Sequence, residues 1–126
     1  MTDHMAGIQA KILDDDNLKL VSFSVTPAID SVPQLKKYAL EKGVNDAKWN
    51  LLTGDKKAIY TLARKSYFVV KEDGDGGPHD MIHTENFVLV DPEKRIRGYY
   101  DGTDKQAMQS LMEDITLLKA EYGFAN

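Results

Sequence analysis

The stretch ENFVLVDPEKRIRGYYDGTD, residues 85–104, decides the fold of the carboxy-terminal part of this chain. Two runs of β-forming residues, 85–90 and 95–100, flank a four-residue turn that has proline at its second position. This pattern predicts a β-hairpin. Thr103 or Asp104 can then cap a helix, because apolar residues follow at helical spacing. The apolar positions of this helix are Met108, Leu111, Met112, Ile115 and Leu118.

Upstream of the hairpin, helical and strand patterns alternate along the chain. Ser31 can cap a helix that has Pro33 in its first turn and Gly43 at its end. The other predicted segments are a helix from residue 2 or 3, strands at 18–25, 49–52 and 67–70, a helix from 55 to about 66, and a flexible insertion at 72–80. This order, α-β-α-β-α-β-β-β-α, predicts an α/β sandwich with a mixed sheet.

Length and composition are typical of one globular domain spanning residues 1–126. Sixteen basic and 20 acidic side chains give a net charge of −4, which argues against a nucleic-acid partner. No apolar run approaches the roughly 18–20 residues of a membrane span. Residues 1–6 lack the features of a secretory signal, which indicates a cytoplasmic chain or a piece of a longer protein. The chain has no cysteine, so it offers no thiol nucleophile, disulfide or thiolate metal ligand.

Four segments, taken in order and spacing, resemble one known family. They are VSFSVTPAID at 21–30, WNLLTGDKKAIYTLA at 49–63, HTENFVLVDPEKRI at 83–96 and GYYDGTD at 98–104. This chain resembles the Sco/SenC copper chaperones over nearly all of its 126 residues. The resemblance implies a thioredoxin-like fold, tethering on the extracytoplasmic side of a membrane, and one bound copper ion. It also implies a role in maturing the dinuclear copper centre of cytochrome c oxidase, rather than catalysis.

The resemblance identifies one metal ligand in this chain. The family holds copper with two cysteines of a Cys-x-x-x-Cys-Pro motif and one distant histidine, which His83 matches. The cysteine motif has no match, because the chain begins where the resemblance places the helix that follows it. We therefore expect an N-terminally truncated Sco domain whose copper binding is weak or absent. Its expected partners are the copper subunit of cytochrome c oxidase or another copper chaperone.

The same resemblance implies that a central strand is missing. In a thioredoxin-like sheet, that strand lies between the predicted strands at residues 18–25 and 85–90. Its absence leaves open edges, which recruit other chains. A dimer through these edges, or a partner segment that fills the slot, is therefore expected as an alternative to a fragment.

Other residues are weaker ligand candidates than His83. His79 lies four residues away, but the glycines and proline before it argue against a helix that would align the two imidazoles. His4 is expected to be solvated, and Met81 is an auxiliary candidate. The acidic run at residues 14–16 is expected to form a solvated turn.

Two further hypotheses about function stay open. The first is a thiol-disulfide or peroxide reductase of the same fold, whose nucleophilic cysteine lies upstream and which does not need His83. The second is a ligand-free thioredoxin-like module that binds a partner strand in its open slot.

Overall fold

The computed structural model describes residues 2–24, 27, 29–67, 76–77 and 85–124. The helices among these residues are α1 (Thr2–Ile12), α2 (Val32–Lys42), α3 (Lys56–Thr61) and α4 (Lys105–Glu121), and a π-helical turn, Leu62–Ser66, continues α3. The strands are β1 (Leu20–Phe23), β2 (Trp49–Leu52), β3 (Asn86–Val90) and β4 (Ile96–Asp101). The predicted α/β class is confirmed. The chain divides into two compact units, Met1–Leu18 with Glu85–Asn126, and Lys19–Thr84.

The first unit is built on the predicted hairpin. β3 pairs antiparallel with β4, with Asn86 opposite Asp101 at the open end and a register shift between Leu89 and Val90 near the turn. The carboxylate of Asp104 accepts a hydrogen bond from the backbone N–H of Gln106 (3.0 Å) and so caps α4. The buried apolar side chains of this unit are Met5, Ile8, Ile12, Phe87, Leu89, Tyr100, Met108, Leu111 and Ile115.

The alternation of strand side chains explains the two adjacent tyrosines of β4. Successive side chains of a strand point to opposite faces. Tyr100 is buried, and Tyr99 is 45% exposed, as that alternation predicts.

The second unit contains a parallel pair of strands joined through α2. Leu20 lies opposite Trp49 in the register of β1 and β2. Ser31 caps α2 as predicted, accepting a hydrogen bond from the backbone N–H of Gln34, and Gly43 ends the helix at φ 69°. Glycine suits this position because a Cβ atom is strained in the left-handed region. Trp49 is 2% exposed and donates its indole N–H to Ser22 Oγ over 2.9 Å.

The strands differ from the prediction in extent and pairing. Among the described residues they form two two-stranded sheets, one parallel and one antiparallel, rather than one continuous mixed sheet. β1 begins at Leu20, two residues later than expected. Tyr67 does not begin a strand, because its backbone N–H donates to the carbonyl of Leu62 (2.9 Å) and closes the π-helical turn. The rest of the strand predicted at 67–70 lies outside the described residues.

Candidate functional site

The histidine that the family resemblance selects, His83, lies outside the described residues, as do His79 and Met81. The structure describes the chain again from Glu85, which follows His83 by two residues. The described residues that lie nearest to His83 in the sequence are those around Glu85, at the open end of the β3–β4 hairpin.

Gly102 fixes Glu85 in place. The backbone N–H of Gly102 donates to the carbonyl of Glu85 over 2.7 Å, just beyond the terminal pair of Asn86 and Asp101. A Cβ atom on Gly102 would lie 2.5 Å from that carbonyl oxygen and 2.6 Å from Cε1 of Phe87. Only glycine allows this approach, because real Cβ atoms do not come so close to neighbouring atoms.

The same glycine binds the first turn of α1. Nδ1 of His4 lies 2.6 Å from the carbonyl oxygen of Gly102. Because a carbonyl oxygen only accepts, Nδ1 carries the proton of this hydrogen bond. His4 is partly buried, so its expected solvation is wrong. We call this hydrogen-bonded chain, His4–Gly102–Glu85, the Gly102 bridge.

The turn between β4 and α4 holds Gly102 from the other side. Asp101 Oδ1 accepts two hydrogen bonds from Thr103, from its hydroxyl (2.6 Å) and its backbone N–H (2.9 Å). These bonds favour the ionised carboxylate and lower the pKa of Asp101. The glycine of the Gly102 bridge is therefore held between a strand end and a capped helix.

The closed end of the hairpin is organised around Asp91, whose side chain is fully buried. Its carboxylate accepts hydrogen bonds from the backbone N–H groups of Glu93 and Arg95 (both 2.9 Å). It also accepts from the guanidinium groups of Arg95 (3.0 Å) and Arg97 (3.2 Å). Burial alone would raise the pKa of Asp91, but these hydrogen bonds outweigh it and hold the pKa well below its usual range.

This ionic network joins the hairpin to α4. Arg97 donates to both carboxylate oxygens of Glu121, at 2.6 and 3.1 Å. The bidentate pairing raises the pKa of Arg97 and lowers that of Glu121. The charged groups of this network form ion pairs with one another, so we interpret the network as a structural scaffold rather than a ligand site.

A shallow depression of about 290 Å³ lies beside this network. It is lined by Leu89, Arg97, Tyr100, Asp114, Leu117, Leu118 and Glu121. The hydroxyl of Tyr100 donates to Asp114 Oδ2 over 2.6 Å, and burial together with this bond raises the pKa of Tyr100 to about 12. Copper favours thiolate and imidazole ligands, and neither lines this depression, so we assign no copper site to it.

The remaining sequence candidates contribute no metal site in the described residues. Within the described ranges, no group of three His, Asp or Glu side chains is arranged to hold a metal ion. In the predicted acidic turn, Asp15 forms an ion pair with Lys119. Met5 and Met108 are buried in the core of the first unit, and Met112 is partly buried on α4. The thioether side chains of the two buried residues are thus packing groups.

Sequence reasoning missed the Gly102 bridge. The glycine lies inside the segment GYYDGTD, and its position after a strand-ending aspartate is typical of a tight turn. Its contact with His4 joins residues 98 positions apart, and no local pattern signals such a contact.

Comparison with known proteins identifies the family to which this chain belongs. The sequence profile of the SCO1/SenC family matches residues 1–118. The chain therefore belongs to the SCO1/SenC family, as its four sequence segments predict. It is 30% identical over 117 residues to the SCO1 protein homolog of Bacillus subtilis (strain 168). The match covers 91% of this chain and 60% of that relative, so the chain spans less than two thirds of its length.

Solved structures of the family share the fold. BsSco, described as a member of the Sco family of cytochrome c oxidase assembly proteins with a disulfide switch, superposes with a TM-score of 0.74 and 29% identity. That match covers 91% of this chain and 67% of BsSco. A SCO1/SenC family lipoprotein from Bacillus anthracis str. Ames gives a TM-score of 0.76 and 25% identity, over 93% of this chain and 70% of the lipoprotein. These relatives confirm the thioredoxin-like fold.

Among the residues that the structure describes, no helix is long and apolar enough to cross a bilayer.

Proposed function

We propose that this chain is the larger part of a Sco domain that carries copper as cargo for the dinuclear copper centre of cytochrome c oxidase. The observation that carries the proposal is the family match over residues 1–118. The resemblance of the segment at residues 83–96 to the family supports His83 as the copper-binding histidine. The relative BsSco belongs to a family of cytochrome c oxidase assembly proteins, which supports the same role here. The proposed partners are the copper subunit of the oxidase or another copper chaperone, and no catalysis is proposed.

The donor set within residues 1–126 predicts weak copper binding by this chain alone. Copper favours thiolate and imidazole ligands, and the chain supplies no thiolate. If a complete structural metal site contributes about 10–16 kcal/mol, one ligand of four contributes roughly 3–4 kcal/mol. That free energy corresponds to a dissociation constant on the order of 1 mM. Tight binding therefore needs ligands from outside this chain, which we propose are cysteines encoded upstream of residue 1.

We also propose that the full protein is tethered to a membrane on its extracytoplasmic side. The Bacillus anthracis relative is a lipoprotein, which supports this location. The tethered protein could then reach a membrane-bound oxidase subunit by diffusing along the same membrane.

Thiol-disulfide chemistry is the second candidate function. The disulfide switch described for BsSco favours it. In this alternative the upstream cysteine pair, as a dithiol, reduces the disulfide of a partner protein to two thiols and is itself oxidised to a disulfide, and His83 is dispensable. The third candidate function is a ligand-free module that binds a partner strand. It predicts a stable dimer or complex and no copper binding.

Gene replacement in the source organism separates these functions. Deletion of the gene should lower the content of the dinuclear copper centre in the oxidase, and the wild-type gene should restore it. The His83→Ala gene should fail to restore it, whereas His79→Ala, in the same segment, serves as the matched control and should restore it. Full restoration by His83→Ala would contradict the copper proposal and favour one of the alternatives.

A further inference from the structure

The outer surface of α2 carries an exposed set of side chains that the proposed copper role does not use. We propose that this surface docks onto the headgroup layer of an anionic phospholipid membrane, and we call it the α2 outer face. It consists of Val32, Lys36, Lys37 and Leu40, and Ile29 precedes it in the turn before the helix. The proposal is independent of the copper role, because none of these residues is a proposed ligand.

Helical spacing places these residues on one side of α2. Residues i, i+4 and i+8 of an α-helix lie near one another, so Val32, Lys36 and Leu40 form a row about 12 Å long. Lys37 lies beside this row. The opposite side of the helix is half-buried and is formed by Leu35, Tyr38 and Ala39. No residue of α2 is fully buried, so the helix presents a whole face to its surroundings.

The apolar side chains of this face are highly exposed. Leu40 is 86% exposed, Ile29 is 72% exposed and Val32 is 57% exposed. Together with Leu117 on α4 (68%), they are the most exposed large apolar side chains of the described residues. Single exposed apolar residues are ordinary on a protein surface, but three of them at one helix mark a contact surface. A headgroup layer buries such side chains while the ammonium groups of neighbouring lysines stay in water.

The distribution of charge favours an anionic surface. In the described part of the chain, the ammonium groups of Lys36 and Lys37 form no ion pair, in contrast to that of Lys119. Residues 19–67 carry nine basic and four acidic side chains, whereas residues 1–18 and 85–126 together carry six basic and 12 acidic ones. The second unit stays positive when residues 68–84, with one basic and four acidic side chains, are included. The net charge of −4 does not cancel this local attraction, because salt screens charges beyond about 10 Å at 0.1 M.

The composition of the α2 outer face favours a membrane over a protein partner. Contact surfaces between proteins are enriched in aromatic and arginine side chains and depleted in lysine. Lysine is the only charged residue type of this face, and its remaining members are aliphatic. Interfacial helices combine lysines with apolar side chains that enter the headgroup layer by about 5–10 Å. An acidic protein surface is therefore an outcome that the experiment has to detect.

Co-sedimentation of the 126-residue chain with vesicles measures its membrane partition coefficient. Vesicles of an equal mixture of phosphatidylcholine and phosphatidylglycerol should bind the chain, and vesicles of phosphatidylcholine alone should not. The double variant Lys36→Gln/Lys37→Gln should lower the partition coefficient about 25-fold, because each lysine near an anionic surface contributes about fivefold. Leu40→Gln should lower it on the order of tenfold, because an apolar side chain no longer enters the headgroup layer.

Matched controls separate the α2 outer face from charge and hydrophobicity in general. Lys11→Gln/Lys105→Gln removes two exposed lysines of the first unit, and Leu117→Gln replaces an exposed leucine of α4. Both controls should bind the anionic vesicles as the unsubstituted chain does. All the substituted side chains are exposed, so each variant should keep the fold, which circular dichroism checks.

Each outcome decides the proposal. Loss of binding in the two α2 variants, with none in the controls, supports it. Absence of binding by the unsubstituted chain overturns it, and so does an equal loss in the controls or an unchanged partition coefficient in Leu40→Gln. Binding to soluble polyglutamate that depends on Lys36 and Lys37, without binding to vesicles, would assign the face to an acidic protein and overturns it as well. A failure here leaves the proposed copper role standing, because no copper ligand is changed.

Discussion

At Gly102 a single missing Cβ atom allows the start of β3, the end of β4 and the first turn of α1 to meet. The carbonyl of Glu85 and the ring of Phe87 occupy the space that a side chain would need. Glycine is required here by close approach of neighbouring atoms, which is a different reason from the left-handed backbone that Gly43 supplies at the end of α2.

We predict that Gly102→Ala destabilises the protein by about 1–3 kcal/mol, the usual cost of forcing extra volume into a packed site. The free energy of unfolding in urea measures the change. Gly7→Ala is the matched control, because a Cβ atom at Gly7 meets nothing within 4 Å on the surface of α1. That control should stabilise the protein by about 0.4–1 kcal/mol. Equal stability of Gly102→Ala and wild type would contradict the bridge geometry.

The lowered pKa of Asp91 predicts that the free energy of unfolding decreases at acidic pH, and we call this decrease the acid limb. Its pKa in the folded protein lies below the ordinary value of 3.8, because Arg95, Arg97 and two backbone N–H groups favour the carboxylate despite its burial. The stabilisation is therefore present above pH 3.8 and is lost as the pH falls through that value toward the lower folded pKa. Urea unfolding between pH 7 and pH 2 should show this loss in wild type.

The Asp91→Asn variant tests the assignment of that limb to one side chain. It should be less stable at pH 7 and should lose less stability on acidification than wild type. Asp14→Asn, which replaces an exposed carboxylate, should follow the wild-type profile. An unchanged acid limb in Asp91→Asn would show that other carboxylates cause it.

At the scale of elements, local signals predicted the helices and the hairpin well. Ser31, Pro33 and Gly43 define α2 because a side-chain cap, a fixed backbone angle and a left-handed residue act within a few positions. The strand predicted at residues 67–70 shows the limit of such signals. Tyr67 has strong β propensity, but the backbone of α3 extends through a π-helical turn and takes its N–H group. Tertiary context overrides propensity there.

The candidate site was predictable only in part. His83 is predicted from its family motif and lies outside the described residues, whereas the Gly102 bridge depends on contacts between distant positions, such as that of His4 with Gly102. The pairing of strands into two small sheets is likewise non-local, since each partner is selected by the packed fold rather than by its own residues.

The ion pair that joins α4 to the turn after α1 gives a prediction at the scale of elements. Lys119 is 8% exposed and forms an ion pair with Asp15, in the turn that follows α1. Removing one partner leaves the other charge poorly solvated, so Lys119→Ala should cost about 3 kcal/mol. Lys119→Ala combined with Asp15→Asn should cost less than the sum of Lys119→Ala and Asp15→Asn measured singly. A double-mutant cycle from urea unfolding measures the coupling, and additive effects would contradict the pairing.

At the scale of the whole molecule, the family match and the absence of thiolate ligands need one explanation. The chain belongs to the SCO1/SenC family along residues 1–118, yet it contains no cysteine. It also spans 60% of a curated relative. A copper-carrying role for the complete protein and weak binding by this chain are compatible if the thiolate ligands lie outside residues 1–126. This is the central claim of the proposed function.

Anaerobic Cu(I) and Cu(II) titration of two polypeptides tests that claim most directly. One is this chain with its α-amine acetylated, so that the amine cannot act as a ligand, and the other includes the upstream coding sequence. We predict that only the longer polypeptide binds one copper ion tightly and that His83→Ala removes most of this affinity. A stoichiometric copper complex of sub-micromolar affinity in the 126-residue chain, or no copper binding by either polypeptide, would contradict the account.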